Sequence, residues 1–86
     1  MSLMKFNDSY RIIRRENEML LCNIENGDVY QINDVTEYTL SQCQNIATPR
    51  ELSEAVYEHF KETDGDFSQS DMYQFVQQLM VEGIIL

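Results

Sequence analysis

The chain has 86 residues, 43% of them hydrophobic, with 15 acidic against 6 basic side chains and a formal net charge of -9. That length supports one domain with one modest core and leaves little room for an elaborate active site. Lys5, Arg11, Arg14 and Arg15 hold most of the basic charge, and nucleic-acid affinity rests mainly on Lys and Arg at phosphates, so the acidic remainder would repel nucleic acid and anionic membranes.

Met1-Ser2-Leu3 reads as an added extension ahead of a second start at Met4 and is set aside. Ser9 to Arg15 is short, β-branched and partly alternating, which predicts a first strand with solvated arginines. Met19 to Ile24 predicts a second. Leu20, Cys22 and Ile24 fall on one face and Met19, Leu21 and Asn23 on the other, so cover on both sides is expected. The turn signal Glu25-Asn26-Gly27-Asp28 follows, and Asn-Gly suits the positive φ angles of a tight primed turn. Val29 to Ile32 is the third strand, with Tyr30 and Ile32 on one face and Val29, Gln31 and Asn33 on the other. Short turns between such strands give an antiparallel meander.

Asp34 with Glu37 matches a capping arrangement and opens a first helix over Val35 to Gln44, its inward stripe being Val35, Tyr38, Thr39, Leu40 and Cys43. Thr48-Pro49-Arg50-Glu51 opens a second, Pro49 to Phe60: Thr48 caps, Pro49 takes the first helical position where its missing N–H costs nothing, and Glu51 completes the box. Leu52, Ala55, Val56, His59 and Phe60 follow helical spacing, the mark of a core stripe. The loop Lys61 to Phe67 carries Asp64-Gly65-Asp66, whose phasing does not fit a calcium loop of alternating ligands with a closing Glu. A third helix runs from Ser68 to Glu82 with Gly83 as its stop. Its apolar face of Met72, Phe75, Val76, Leu79 and Met80 is wider than one small core needs. Ile84-Ile85-Leu86 is too apolar for a free tail and is expected to fold back on the core. The predicted architecture is α+β: a three-stranded antiparallel meander followed by three helices, close to a winged helix-turn-helix.

Cys22 and Cys43 lack a Cys-x-x-Cys partner and have a single His for company, which does not make a metal site. They read as two buried thiols of a reducing cytosol, since a disulfide depends on geometry. No secretory signal and no apolar run near the roughly 20 residues of a membrane span is present, so the expected location is the cytoplasm. His59 and the serines Ser41, Ser53 and Ser68 lie in no catalytic constellation, and no cofactor is expected.

Taken in order, Val29-Tyr30-Gln31-Ile32-Asn33-Asp34-Val35, Thr48-Pro49-x-Glu51-Leu52, Ser70-Asp71-Met72-x-x-Phe75-Val76-x-x-Leu79 and Glu82-Gly83-Ile84-Ile85 resemble the coenzyme PQQ synthesis protein D family. The resemblance covers the chain from about Tyr10 to Leu86. One departure is Gln44-Asn45-Ile46-Ala47, where the family often has an acidic-glycine turn. Members of the family recognise ribosomally made, post-translationally modified peptides. The resemblance implies a non-catalytic adaptor. In it the leader of a precursor peptide adds as a strand to the third strand, against the third helix, and is presented to a modifying enzyme such as a radical S-adenosylmethionine maturase. Carried over by position, Val29, Tyr30, Gln31 and Ile32 form the edge and Tyr73, Val76, Gln77 and Met80 the groove wall, where Met suits varied partners. Ile32, Phe75 and Leu79 read first as plain core.

Two other classes compete. A winged-helix regulator of nucleic acid needs Lys and Arg on its reader helix, and Ser68 to Glu82 has neither. A self-associating subunit would use the same strand edge to form a homodimer.

Overall fold

Three alternating runs pair into one antiparallel sheet: β1 (Tyr10–Arg15), β2 (Glu18–Asn23) and β3 (Val29–Ile32), in the order β1-β2-β3. The computed structural model describes residues 4–62 and 68–86, so the Asp64-Gly65-Asp66 and Phe67 readings lie outside the described residues. Ile12 stands opposite Leu21, Leu21 opposite Tyr30, and Met19 opposite both Arg14 and Ile32. Cross-strand neighbours share a face, and this is the face the helices cover, with Leu21 buried among helix residues. Leu20 and Cys22 on the reverse face are only half-buried. The expected cover on both sides of β2 therefore gives way to full cover on one.

The connection between β2 and β3 is wider than the primed turn the sequence suggests. Gly27 N donates to Asn23 O at 2.8 Å, while the Asn23 Oδ1 accepts from the amides of Glu25 (2.9 Å) and Asn26 (3.3 Å). A side chain that captures two turn amides stabilises this longer loop locally. Only Gly27 then needs a positive φ, at 82°; Asn26 keeps a negative one. Ile24 leaves the strand for this loop and is exposed.

Helix α1 is Asp34–Gln42, followed by a 3-10 turn over Cys43–Asn45. Its cap is Asn33, one residue before the expected Asp34: Asn33 Oδ1 accepts from Thr36 N and from Thr36 Oγ1, both at 2.9 Å. Asp34 and Glu37 occupy the first turn, where negative charge suits the helix dipole, and Glu37 pairs with Arg14 of β1. Helix α2 is Pro49–Phe60, with Thr48 Oγ1 accepting from Glu51 N at 3.2 Å. Its buried positions are Leu52, Ser53 and Val56; Ala55 is half-buried, and Ser53 satisfies its hydroxyl on Arg50 O at 2.8 Å. Helix α3 is Gln69–Val81, opened by a full capping box between Ser68 and Asp71. It closes in a Schellman arrangement: Gly83 at φ 76° donates to Met80 O (3.1 Å) and Ile84 to Leu79 O (2.9 Å).

Leu21, Leu40, Cys43, Leu52, Val56, Val76 and Ile85 form the centre of the core. The C-terminal run folds back as expected, and its partner is the start of the chain. Phe6 and Ile85 form an antiparallel bridge, Lys5 and Leu86 exchange backbone hydrogen bonds at 3.1 and 2.7 Å, and Asn7 N donates to Ile84 O at 2.9 Å.

Candidate functional site

Antiparallel ladders alternate residue pairs that exchange hydrogen bonds with pairs that do not. Asn23 N donates to Asp28 O at 2.8 Å, which sets the phase of the β2–β3 ladder. Counting along the register, Leu21–Tyr30 and Met19–Ile32 are bonded pairs, and Cys22–Val29 and Leu20–Gln31 are not. Val29 and Gln31 thus turn their N–H and C=O groups away from β2. Among the described residues nothing pairs with that side of β3. The side chains take the other assignment: Tyr30 and Ile32 point to the helix face, Val29 and Gln31 to the reverse. Ile32 is half-buried against the core and Tyr30 is 47% exposed, a large aromatic left open beside an unpaired edge.

The surroundings of Tyr30 are acidic. Its hydroxyl lies 3.4 Å from Asp28 Oδ2. The Asp28 carboxylate, first among the causes, pushes the phenol above its ordinary value of 10.0; slight desolvation, Tyr10 and the Glu82 carboxylate act in the same sense. Glu82 caps α3, so the C-terminal end of α3 lies within electrostatic reach of the strand.

Of the four α3 residues singled out in the sequence, Tyr73, Gln77 and Met80 are half-buried and offer surface. Val76 is 0% exposed and sits in the core, with none to offer. Tyr73 lies under the Arg50 guanidinium, 5.4 Å from the ring centroid, and the two share a cleft of about 250 Å³ with Ser53, Glu54, Gln69 and Ser70 between the starts of α2 and α3. A larger hollow of about 490 Å³ opens where the β1–β2 turn meets the end of β3, lined by Arg14 to Met19 and by Gln31 to Asp34. It runs from Arg14 and Arg15 of β1 across Glu18 and Met19 of β2 to Gln31 and Ile32, residues that only the register gathers into one hollow. Among the described residues, no cluster of three or more His, Cys, Asp or Glu side chains is placed to hold a metal, and no helix is long and apolar enough to cross a membrane.

The family model of coenzyme PQQ synthesis protein D (PqqD) matches residues 18–85. The chain belongs to the PqqD family. The matched span takes in β2, β3 and all three helices. Among solved structures, the chain is similar to "Lasso peptide synthetase B1 complexed with the leader peptide" at TM-score 0.63 and 15% identity, covering 99% of each chain. It is also similar to "TbiB1 in Complex with the TbiA(beta) Leader Peptide" at TM-score 0.62 and 14% identity, over 94% of this chain and 93% of the other. At such identities the likeness is one of fold. No curated protein sequence matches.

Proposed function

We propose that residues 1–86 act as one cytoplasmic peptide-recognition domain, a non-catalytic adaptor. It captures the leader of a ribosomally made precursor by strand addition and hands it to a modifying enzyme. The observation that carries this is the unpaired edge of β3, where Val29 and Gln31 present outward backbone groups beside the open ring of Tyr30. Strand addition draws affinity from such backbone groups and selectivity from the pockets that take alternate side chains. Tyr30 and Ile32 supply the sheet side of the groove and Tyr73, Gln77 and Met80 the helix side, with Val76 supporting α3 from beneath. Membership of the PqqD family and a fold shared with two proteins solved with leader peptides support the reading. The enzyme served is, on the family resemblance, a radical S-adenosylmethionine maturase, and the precursor decides whether the product is PQQ or another peptide-derived compound.

The test is an NMR titration of the full chain with the precursor leader encoded beside its gene. Amide shifts are expected in Val29 to Asn33 and around Tyr73 to Met80, with low-micromolar or tighter affinity; a titration that moves neither segment overturns the proposal. The same open edge favours one rival use, pairing of two copies. Sedimentation of the free protein as a dimer that the leader does not dissociate would support that use instead.

A further inference from the structure

The sheet face turned away from the helices carries Ile13, Leu20, Cys22 and Val29 as one apolar patch, with Ile13 42% and Val29 56% exposed. Arg11 and Arg15 of β1 lie on this same face. Among the described residues neither has an ionic partner: the Arg11 guanidinium donates to the backbone carbonyls of Asp8 and Tyr10, and Glu18, opposite Arg15 in the register, makes no ion pair with it. In a chain of net charge -9, this is a patch where apolar surface and unpaired positive charge coincide.

We propose that this outer sheet face docks an acidic, apolar-faced element of the modifying enzyme. The proposal rests on the adaptor reading above. Three observations select the occupant. The unpaired arginines call for carboxylates, and at close range a local match outweighs the net charge of the chain, because repulsion from distant charges is screened over about 8 Å at physiological salt. The patch spans three strands about 4.8 Å apart and roughly four residues of about 3.4 Å, on the order of 200 Å². Two copies joined through this face would set Arg11 and Arg15 of one against those of the other, so a second copy is poorly served, whereas one helix or hairpin of a larger protein fits as part of a wider contact that reaches the roughly 800 Å² per partner of a specific interface. Finally, the face is continuous with the edge of β3. A leader added there would turn alternate side chains onto this face beside Val29 and Gln31, so an enzyme seated on it would meet adaptor and leader together while the groove stays occupied.

The experiment measures binding of the purified modifying enzyme encoded beside the gene to the full chain, with and without leader, and leader binding separately. In the variant Arg11→Glu/Ile13→Glu, enzyme affinity is expected to fall at least tenfold while leader affinity stays within about twofold, which also shows that the variant is folded. Val81→Glu, on the exposed side of α3, is expected to change neither. Unchanged enzyme binding in the double variant overturns the proposal, as does an enzyme that fails to bind the wild-type chain. So does a wild-type homodimer that the double variant dissociates, since that would give the face to a second copy. Failure of the leader to bind defeats the adaptor reading instead, and is read in its own measurement.

Discussion

At Gln31 the backbone and the side chain serve different neighbours: the N–H faces the open edge, while the amide side chain lies on the outer face. Gln31→Pro therefore deletes a donor that β2 does not use, at an edge position where proline is tolerated. The fold should survive, and leader affinity should drop about 2- to 13-fold, the worth of one hydrogen bond of about 0.5–1.5 kcal/mol. Isothermal titration with circular dichroism as the folding control checks it. Tyr30→Pro, which removes an inward ladder bond, should unfold the hairpin. Tyr30 itself reports on Asp28. Its raised phenol pKa means the folded state holds this proton more tightly than the unfolded chain does. That contribution to stability is fully present below the ordinary value of 10.0 and is lost as pH rises through the folded value. Asp28→Asn should move the tyrosinate absorbance transition to lower pH. The two thiols should separate as well: burial pushes the Cys43 thiol up and hides it, whereas Cys22 is half-buried on the outer face. A thiol reagent should then modify one equivalent in the native protein, at Cys22, and a second only on unfolding. The alternation of Tyr30 and Ile32 against Val29 and Gln31 was legible from a period of two. The burial of Val76 was legible from its spacing with Met72 and Leu79; its place in the groove wall came only from the carry-over by position, which groups it with Tyr73, Gln77 and Met80 on the neighbouring arc of α3.

Among the elements, the start of α1 shows where local signals compete. Asn33 and Asp34 are both good caps and adjacent, and the sequence contains no rule to choose between them; the extended backbone at the end of β3 does, by leaving Asn33 as the last non-helical residue at φ -113°. Asn33→Ala should cost about 1 kcal/mol and lower the thermal midpoint by about 4–8 °C, whereas Asp34→Ala should cost much less, read by thermal denaturation of both variants. The cap of α2 was legible because Thr48-Pro49 stands alone at its site, and that of α3 because Ser68 has Asp71 three residues on to complete a capping box, which neighbouring Ser70 lacks. The β2–β3 connection was half legible. Asn26-Gly27 marks the turn correctly, but its width is set by Asn23, a strand residue whose side chain reaches into the loop and which no dipeptide signal includes.

For the molecule as a whole, the pairing of the two ends is what the sequence left open. The apolar tail had to go somewhere, yet its partner, Asn7 with Phe6, has no strand signature of its own. Ile85 is 1% exposed in the core. Ile85→Ala should cost about 2–5 kcal/mol against a total stability of about 5–15 kcal/mol for a small domain, visible as a lowered urea midpoint with the slope unchanged. The end pairing also has a consequence for the timing of synthesis. The bridge joins Phe6, among the first described residues to leave the ribosome, to Ile85, among the last. Sheet and helices can gather as they emerge, but the core stays open along the side that Ile84 and Ile85 cover until those residues are clear of the exit tunnel. A ribosome paused shortly before Ile84 would therefore hold a protein with its hairpin made and its core unsealed.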